Sequence, residues 1–169
     1  MQEFLSRRQF AALSLGAPMA HFLCAAEFAQ AVTLESELLF DITIDARPAI
    51  GGVGTTGRER MIVEVSGGTF SGPLLKGTVI GPSGDWIELR SDGSSLLDVR
   101  LVMQTDDNQK IYASWRGISY TQPDGKLFAR ILPLFETRAS KYEWLNRVVS
   151  VGVYRPEVGR IAYRVFRIL

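Results

Sequence analysis

Histidine and cysteine are nearly missing from this sequence, which has one of each, His21 and Cys24. Both fall in an N-terminal stretch that reads as an export signal. Ser6-Arg7-Arg8-Gln9-Phe10 leads into the weakly apolar run Ala11 to Ala26 and then the small-residue site Ala29-Gln30-Ala31. Paired arginines with Ser before them and Phe two residues later resemble a twin-arginine signal, an address read by the export machinery and then removed. Residues 1–31 are therefore expected to be a twin-arginine signal peptide cleaved after Ala31. Residues 32–169 are the expected mature domain, in a periplasmic or otherwise exported location. No membrane span is expected, because the run is short, is broken by Gly16 and Pro18, and contains His21.

That cut decides much of the chemistry. Without imidazole or thiol the mature domain has no disulfide, no zinc or copper site built on His or Cys, no Ser-His or Cys-His nucleophile and no histidine acid/base group. Asp, Glu, Lys and Tyr remain for proton transfer; Arg, Lys, Asn, Trp and backbone amides remain for anion stabilisation. No cofactor and no metal is expected. Gly52 to Gly57 has the spacing G-x-G-x-x-G, but the alternating run Arg58 to Val65 follows it, where a dinucleotide fingerprint would open a helix. Asp106-Asp107-Asn108 lacks the later carboxylate of a calcium loop and reads as a polar hairpin turn. Excess charge is absent too: the net is +1, and removing Arg7, Arg8, Glu3 and Glu27 leaves it unchanged, which argues against a nucleic-acid partner.

What is present is alternation. Leu38, Phe40, Ile42 and Ile44 share one face of Glu37 to Ala46, and similar runs cover Arg58 to Val65, Leu74 to Ile80, Asp85 to Arg90, Leu127 to Thr137, Val148 to Tyr154 and Arg160 to Leu169. Gly81-Pro82-Ser83-Gly84 and Ser91-Asp92-Gly93 read as turns, and Gly51 to Gly57 as a flexible loop. Only Ser140 to Asn146 favours a helical turn, with Ser140 and Glu143 spaced as in a capping box. About nine short strands with no crossover helix predict an all-β fold, an antiparallel barrel of eight to nine strands, because closure removes exposed edges. A two-sheet sandwich is the alternative.

The most informative stretch is Leu96 to Gly117, two runs joined at Asp106 to Gln109. Leu97, Val99, Leu101 and Met103 alternate with Asp98, Arg100, Val102 and Gln104, and Ile111, Ala113 and Trp115 with Tyr112, Ser114 and Arg116. Antiparallel pairing brings Asp98, Arg100, Tyr112 and Arg116 onto one surface. That surface either lines a pocket or is a solvated face with a structural ion pair.

The order of pieces, among them Gly67-Gly68-Thr69-Phe70-Ser71-Gly72, Gly84-Asp85-Trp86, Leu97-Asp98-Val99-Arg100, Thr105-Asp106-Asp107, Arg116-Gly117 and Tyr142-Glu143-Trp144-Leu145-Asn146-Arg147, resembles the domain-of-unknown-function 3237 family over residues 37–168. The resemblance implies a lipocalin-like barrel with a central cavity, often a homodimer, and no settled activity. This chain departs from many relatives in its signal peptide and in a shortened segment after Arg116-Gly117. Two functions follow as expectations. One is a small-molecule binder whose cavity holds an aromatic or polyketide-like ligand, lined by Trp86, Asp98, Arg100, Tyr112, Arg116, Glu136, Tyr142, Trp144 and Asn146. The other is a cofactor-free lyase, isomerase or cyclase with Asp98 or Glu136 as base, Tyr112 as acid, and Arg100 or Arg116 stabilising an enolate. Tyr142 and Trp144 also suit a plug at one end of the barrel.

Overall fold

The structure is a computed structural model and describes residues 33–169. The expected twin-arginine signal and cleavage after Ala31 fall outside the described residues. Nine strands form one antiparallel sheet: β1 (Ser36–Ala46), β2 (Ile50–Thr55), β3 (Arg58–Ser71), β4 (Lys76–Leu89), β5 (Ser95–Thr105), β6 (Lys110–Thr121), β7 (Leu127–Glu136), β8 (Ser150–Tyr154) and β9 (Ile161–Ile168). Their order is β1-β9-β8-β7-β6-β5-β4-β3-β2, and β1 also pairs with β3. Eight strands therefore close into a barrel, and β2 is an extra strand carried on β3. A closed sheet leaves no raw edge, which is the physical reason the short alternating runs take this form.

Three local expectations are corrected. Gly81 to Gly84 is not a turn but a bulge inside one long β4. There the pairing with β5 shifts between Ile80 and Gly84, and the Ser83 hydroxyl accepts from the Val102 N–H at 3.0 Å and donates to the Ile80 carbonyl at 2.6 Å. A side chain has replaced ladder bonds, so the strand continues. The glycine-rich segment is a hairpin in which Val53, Gly54 and Thr55 pair with Arg60, Glu59 and Arg58. The segment Ser140–Arg147 is a 3-10 helix whose N-cap is Ala139, with no side-chain cap. Ser140 does not cap it, because it is the first residue inside the segment; the Thr137 hydroxyl accepts from the N–H of the N-cap Ala139 at 3.1 Å.

Inward side chains differ between the two ends. At one end Phe40 packs against Phe70 and Phe135 with ring centroids 5.8 Å apart in both pairs, and Met103, Ile111 and Leu145 are fully buried beside them. Each such side chain contributes roughly 1.5–3 kcal/mol through burial. Tyr142 and Leu145 of the 3-10 segment cover this end, and the Tyr142 hydroxyl donates to Asp107 at 3.0 Å. We call it the closed end. The opposite end, where β4 turns into β5 and β8 into β9, is the mouth.

The seam where β1 meets β9 carries matched charges. Asp41 accepts from Nε and Nη2 of Arg164 at 2.8 Å each, Glu37 accepts from Arg167 Nε at 3.0 Å, and Asp45 pairs with Arg160. Ion pairs this exposed add little stability, but their spacing along both strands matches one register only.

Candidate functional site

Asp98, Arg100, Tyr112 and Arg116 share one surface, as strand pairing requires: Asp98 faces Arg116 across β5 and β6, and Val102 faces Tyr112. That surface is the outside of the barrel, which corrects their expected place in its lining. The reason is phase: Leu97, Val99, Leu101, Met103, Ile111, Ala113 and Trp115 are the buried set, and alternation turns their neighbours outward. Asp98 bridges Arg100 at 3.4 Å and Arg116 at 3.2 Å, and the Arg100 guanidinium lies 5.3 Å from the Trp86 ring centroid. Together with Ser114, Leu132, Leu134 and Glu136 they border an open groove of about 310 Å³ on the wall. The charges are solvated and already paired.

The remaining expected site residues separate. Trp86 and Glu136 also face outward. Tyr142 is buried at the closed end, and Trp144 packs on the core beside it. Asn146 is exposed; its Oδ1 accepts from the Thr137 N–H at 2.8 Å and its Nδ2 donates to the Thr137 carbonyl at 3.0 Å. The end-plug reading of Tyr142 and Trp144 agrees with these positions, but the nine residues do not line one cavity. Asp107, central to the polar turn, is engaged by Thr105, Lys141 and Tyr142. Hydrogen bonds from Lys141 first, then Thr105, hold its carboxyl down at about 2.

A different constellation sits inside the mouth. One rung of the sheet runs Val63, Asp85, Val99, Trp115, Pro133 across β3 to β7. All five side chains belong to the inward phase. Small Val99 stands between Asp85 and Trp115, and with Ile44, Val65, Ile87 and Tyr163 they enclose a cavity of about 70 Å³ whose rim reaches exposed Ile161 and Ala46. Asp85 accepts the Asp98 backbone N–H at 3.1 Å. Burial pushes its carboxyl up to about 6; that hydrogen bond opposes the rise, and the Asp98 charge adds to it. Burial, then the Asp85 charge, raises the Tyr163 phenol. Tyr163 stacks edge-on to Trp115 and Tyr154, with centroids 6.4 and 5.6 Å apart. Trp115 is buried, and its Nε1–H has no partner among the described residues.

None of these polar groups was singled out from the sequence as a site residue. For Asp85 the signal was available: in Asp85-Trp86-Ile87-Glu88-Leu89 the carboxylate is in phase with Ile87 and Leu89, an ionisable group on an apolar face. Trp115 and Tyr163 read as core and gave no signal, because an indole or phenol on an apolar face is ordinary packing.

Residues 34–168 match the family described as protein of unknown function, DUF3237. A UPF0311 protein of Clostridium acetobutylicum is 30% identical over 128 residues, covering 65% of this chain and 77% of that one. The hydroalkoxylation enzyme phnH of Penicillium herquei is 28% identical, covering 69% of this chain and 71% of its own. Among solved structures, a β-barrel-like protein of Acinetobacter baumannii superposes with a TM-score of 0.75 at 26% identity, covering 82% of this chain and 98% of that one.

Proposed function

The chain belongs to the DUF3237 family, and on that premise we propose that its barrel binds a small molecule at the mouth, with Asp85 as the polar anchor. The observation that carries this reading is Asp85 itself, an inward carboxyl in a cavity whose other walls are aliphatic and aromatic side chains. Few buried carboxyls lack a charged partner, and those that do concentrate at sites where a ligand or a proton is handled. With about 70 Å³ of room, the cavity admits the polar end of a ligand, and the rest of an aromatic or polyketide-like molecule would extend over the rim. The Ile161→Trp substitution places a large ring at that exposed rim and tests the reading. Protein purified under native conditions should carry a non-covalent adduct by mass spectrometry, and Ile161→Trp protein should not. An adduct equally abundant in both would place binding elsewhere.

A second reading, acid/base catalysis without a cofactor, is favoured by the Asp85 carboxyl lying near 6, where one group both accepts and returns a proton at neutral pH. The relative named a hydroalkoxylation enzyme points the same way. In such a step the Asp85 carboxylate takes the proton of a substrate hydroxyl, the oxygen bonds to one alkene carbon, and the same proton is delivered to the other. Asp85 then replaces Asp98 and Glu136 as the base, since those two face outward. If a substrate is converted, Asp85→Asn should abolish turnover while affinity stays within a few-fold; retained turnover would exclude this role.

Export belongs to the same proposal. Arg7→Lys with Arg8→Lys should retain the protein in the cytoplasmic fraction, and unchanged fractionation would argue against a twin-arginine route. A homodimer, implied by the family resemblance, is supported by exposed Leu132 and Leu134 on the outer wall. Sedimentation velocity of the wild type and of Leu132→Glu distinguishes it from a monomer.

A further inference from the structure

The mouth cavity holds two hydrogen-bonding groups of opposite kind on one rung. Asp85 and Trp115 are separated by Val99 alone, so at the usual strand spacing their backbones stand roughly 10 Å apart, and in a closed barrel inward side chains converge. Asp85 presents an acceptor: one of its two carboxylate oxygens holds the Asp98 N–H, leaving the other uncommitted. Trp115 presents a donor, and at 3% exposure its Nε1–H is the one buried side-chain polar atom without a partner among the described residues. Folded proteins seldom leave a buried donor unpaired; one that faces a cavity is met by an ordered water or by a ligand that displaces it.

The candidate occupants can be ranked by what each leaves unpaired. An alkane leaves both groups unmet. A cation satisfies Asp85 but faces the positive edge of the indole; an anion suits the indole but is repelled by Asp85. A ketone accepts from Trp115 and brings nothing for an ionised Asp85. A hydroxyl accepts from the indole and donates to the carboxylate at once. We propose that the mouth cavity recognises an uncharged molecule through a hydroxyl group, an alcohol or phenol, seated between Trp115 Nε1–H and the Asp85 carboxylate. This rests on the small-molecule reading above and adds the chemical class. It also makes Trp115 a specificity-determining residue.

Three rings of one size separate the cases: cyclopentanol, cyclopentanone and cyclopentane, titrated at pH 8 into the purified domain with valine and isoleucine methyls and the tryptophan indole N–H observed by NMR. In the wild type cyclopentanol should shift the Val63, Val65 and Val99 methyls and move the Trp115 indole proton downfield. Trp115→Phe should weaken cyclopentanol about tenfold, the scale of one hydrogen bond, and leave cyclopentane within twofold. Comparing each ring's affinity between the two proteins removes the difference in their hydrophobicity. The indole shift is read in the wild type, so the test stands even where Trp115→Phe fails to fold. Cyclopentane binding with no preference for the alcohol lost on Trp115→Phe, or cyclopentanol binding without an indole shift, would overturn the hydroxyl assignment alone. If none of the three rings perturbs the mouth methyls, the small-molecule reading falls with it.

Discussion

Asp85 ties stability to pH in an unusual direction. Its folded value near 6 lies above the ordinary 3.8, so between about pH 4 and 6 the native state holds a proton that the unfolded chain has released. Stability from this group is therefore complete below pH 4, declines as the pH rises through 6, and stays lower above it. The shift corresponds to at most about 3 kcal/mol, and contact of the cavity with solvent brings it to on the order of 1–2 kcal/mol. Asp85→Asn keeps an acceptor for the Asp98 N–H and has no charge to bury. We expect urea unfolding to show this variant more stable than the wild type by that amount at pH 8, and the two equal at pH 4. An offset that is the same at both pH values would mean that protonation is not its origin. A second residue-scale expectation concerns Gly77, where an added Cβ would lie 2.0 Å from the Gln104 carbonyl oxygen of the neighbouring strand. Gly77→Ala has to part β4 from β5, and we expect a loss of about 3 kcal/mol in the same assay. Among residues, legibility turned on a single step of phase. Choosing Trp86 as the site residue over its neighbour Asp85 selects the outer face, and alternation alone does not say which face of a two-faced strand looks inward until the apolar set is traced around the whole barrel.

Elements divide the molecule into a pinned end and an open one. The 3-10 segment Ser140–Arg147 is held by Asp107, which receives Lys141, Tyr142 and Thr105. Because the Asp107 carboxyl titrates near 2, below its ordinary 3.8, this contribution is present above pH 4 and disappears as the pH falls from 4 towards 2, the reverse of Asp85. We expect Asp107→Asn to speed hydrogen exchange at the Tyr142 and Val148 amides, which bond back to Ala139 and Leu145, while the amides of β5 and β6 keep their protection. Uniform acceleration would show that the segment is not an independent unit. At this scale the alternation is legible where it runs without interruption, as in β5, β6 and β7; in β1 a bulge between Leu38 and Phe40 buries Leu39 and leaves Leu38 outside, against the expected face. The sequence is less legible at Gly81 to Gly84 and Gly51 to Gly57, because glycine and proline mark bulges and tight hairpins with the same residues that mark turns and loops. The helical turn at Ser140 is legible but not its start, since the N-cap is Ala139, one residue earlier, and carries no side chain able to cap.

The barrel as a whole was legible because its strands are antiparallel, joined without crossover helices, and too numerous for a flat sheet to protect its edges. Where its cavity lies was not, since that depends on which end the large aromatic side chains fill. Closure joins the first and last described strands: Ser36 pairs with Ile168, and the Leu169 N–H donates to the Glu35 carbonyl at 3.0 Å. Linking residue 169 to residue 34 through a few glycines, and opening the chain in the exposed Gln122 to Lys126 turn, should give a circular permutant with unchanged near-ultraviolet circular dichroism. Loss of that spectrum would mean that strand order along the chain, and not only pairing, is needed for closure. The seam has a consequence for the growing chain. Glu37, Asp41 and Asp45 are made early, and the arginines that match them arrive only with the final strand, so a chain under synthesis waits as an open sheet with an acidic border. Two such chains side by side offer each other the same border, and an exchange of last strands would satisfy every contact of the seam while tying the two molecules together.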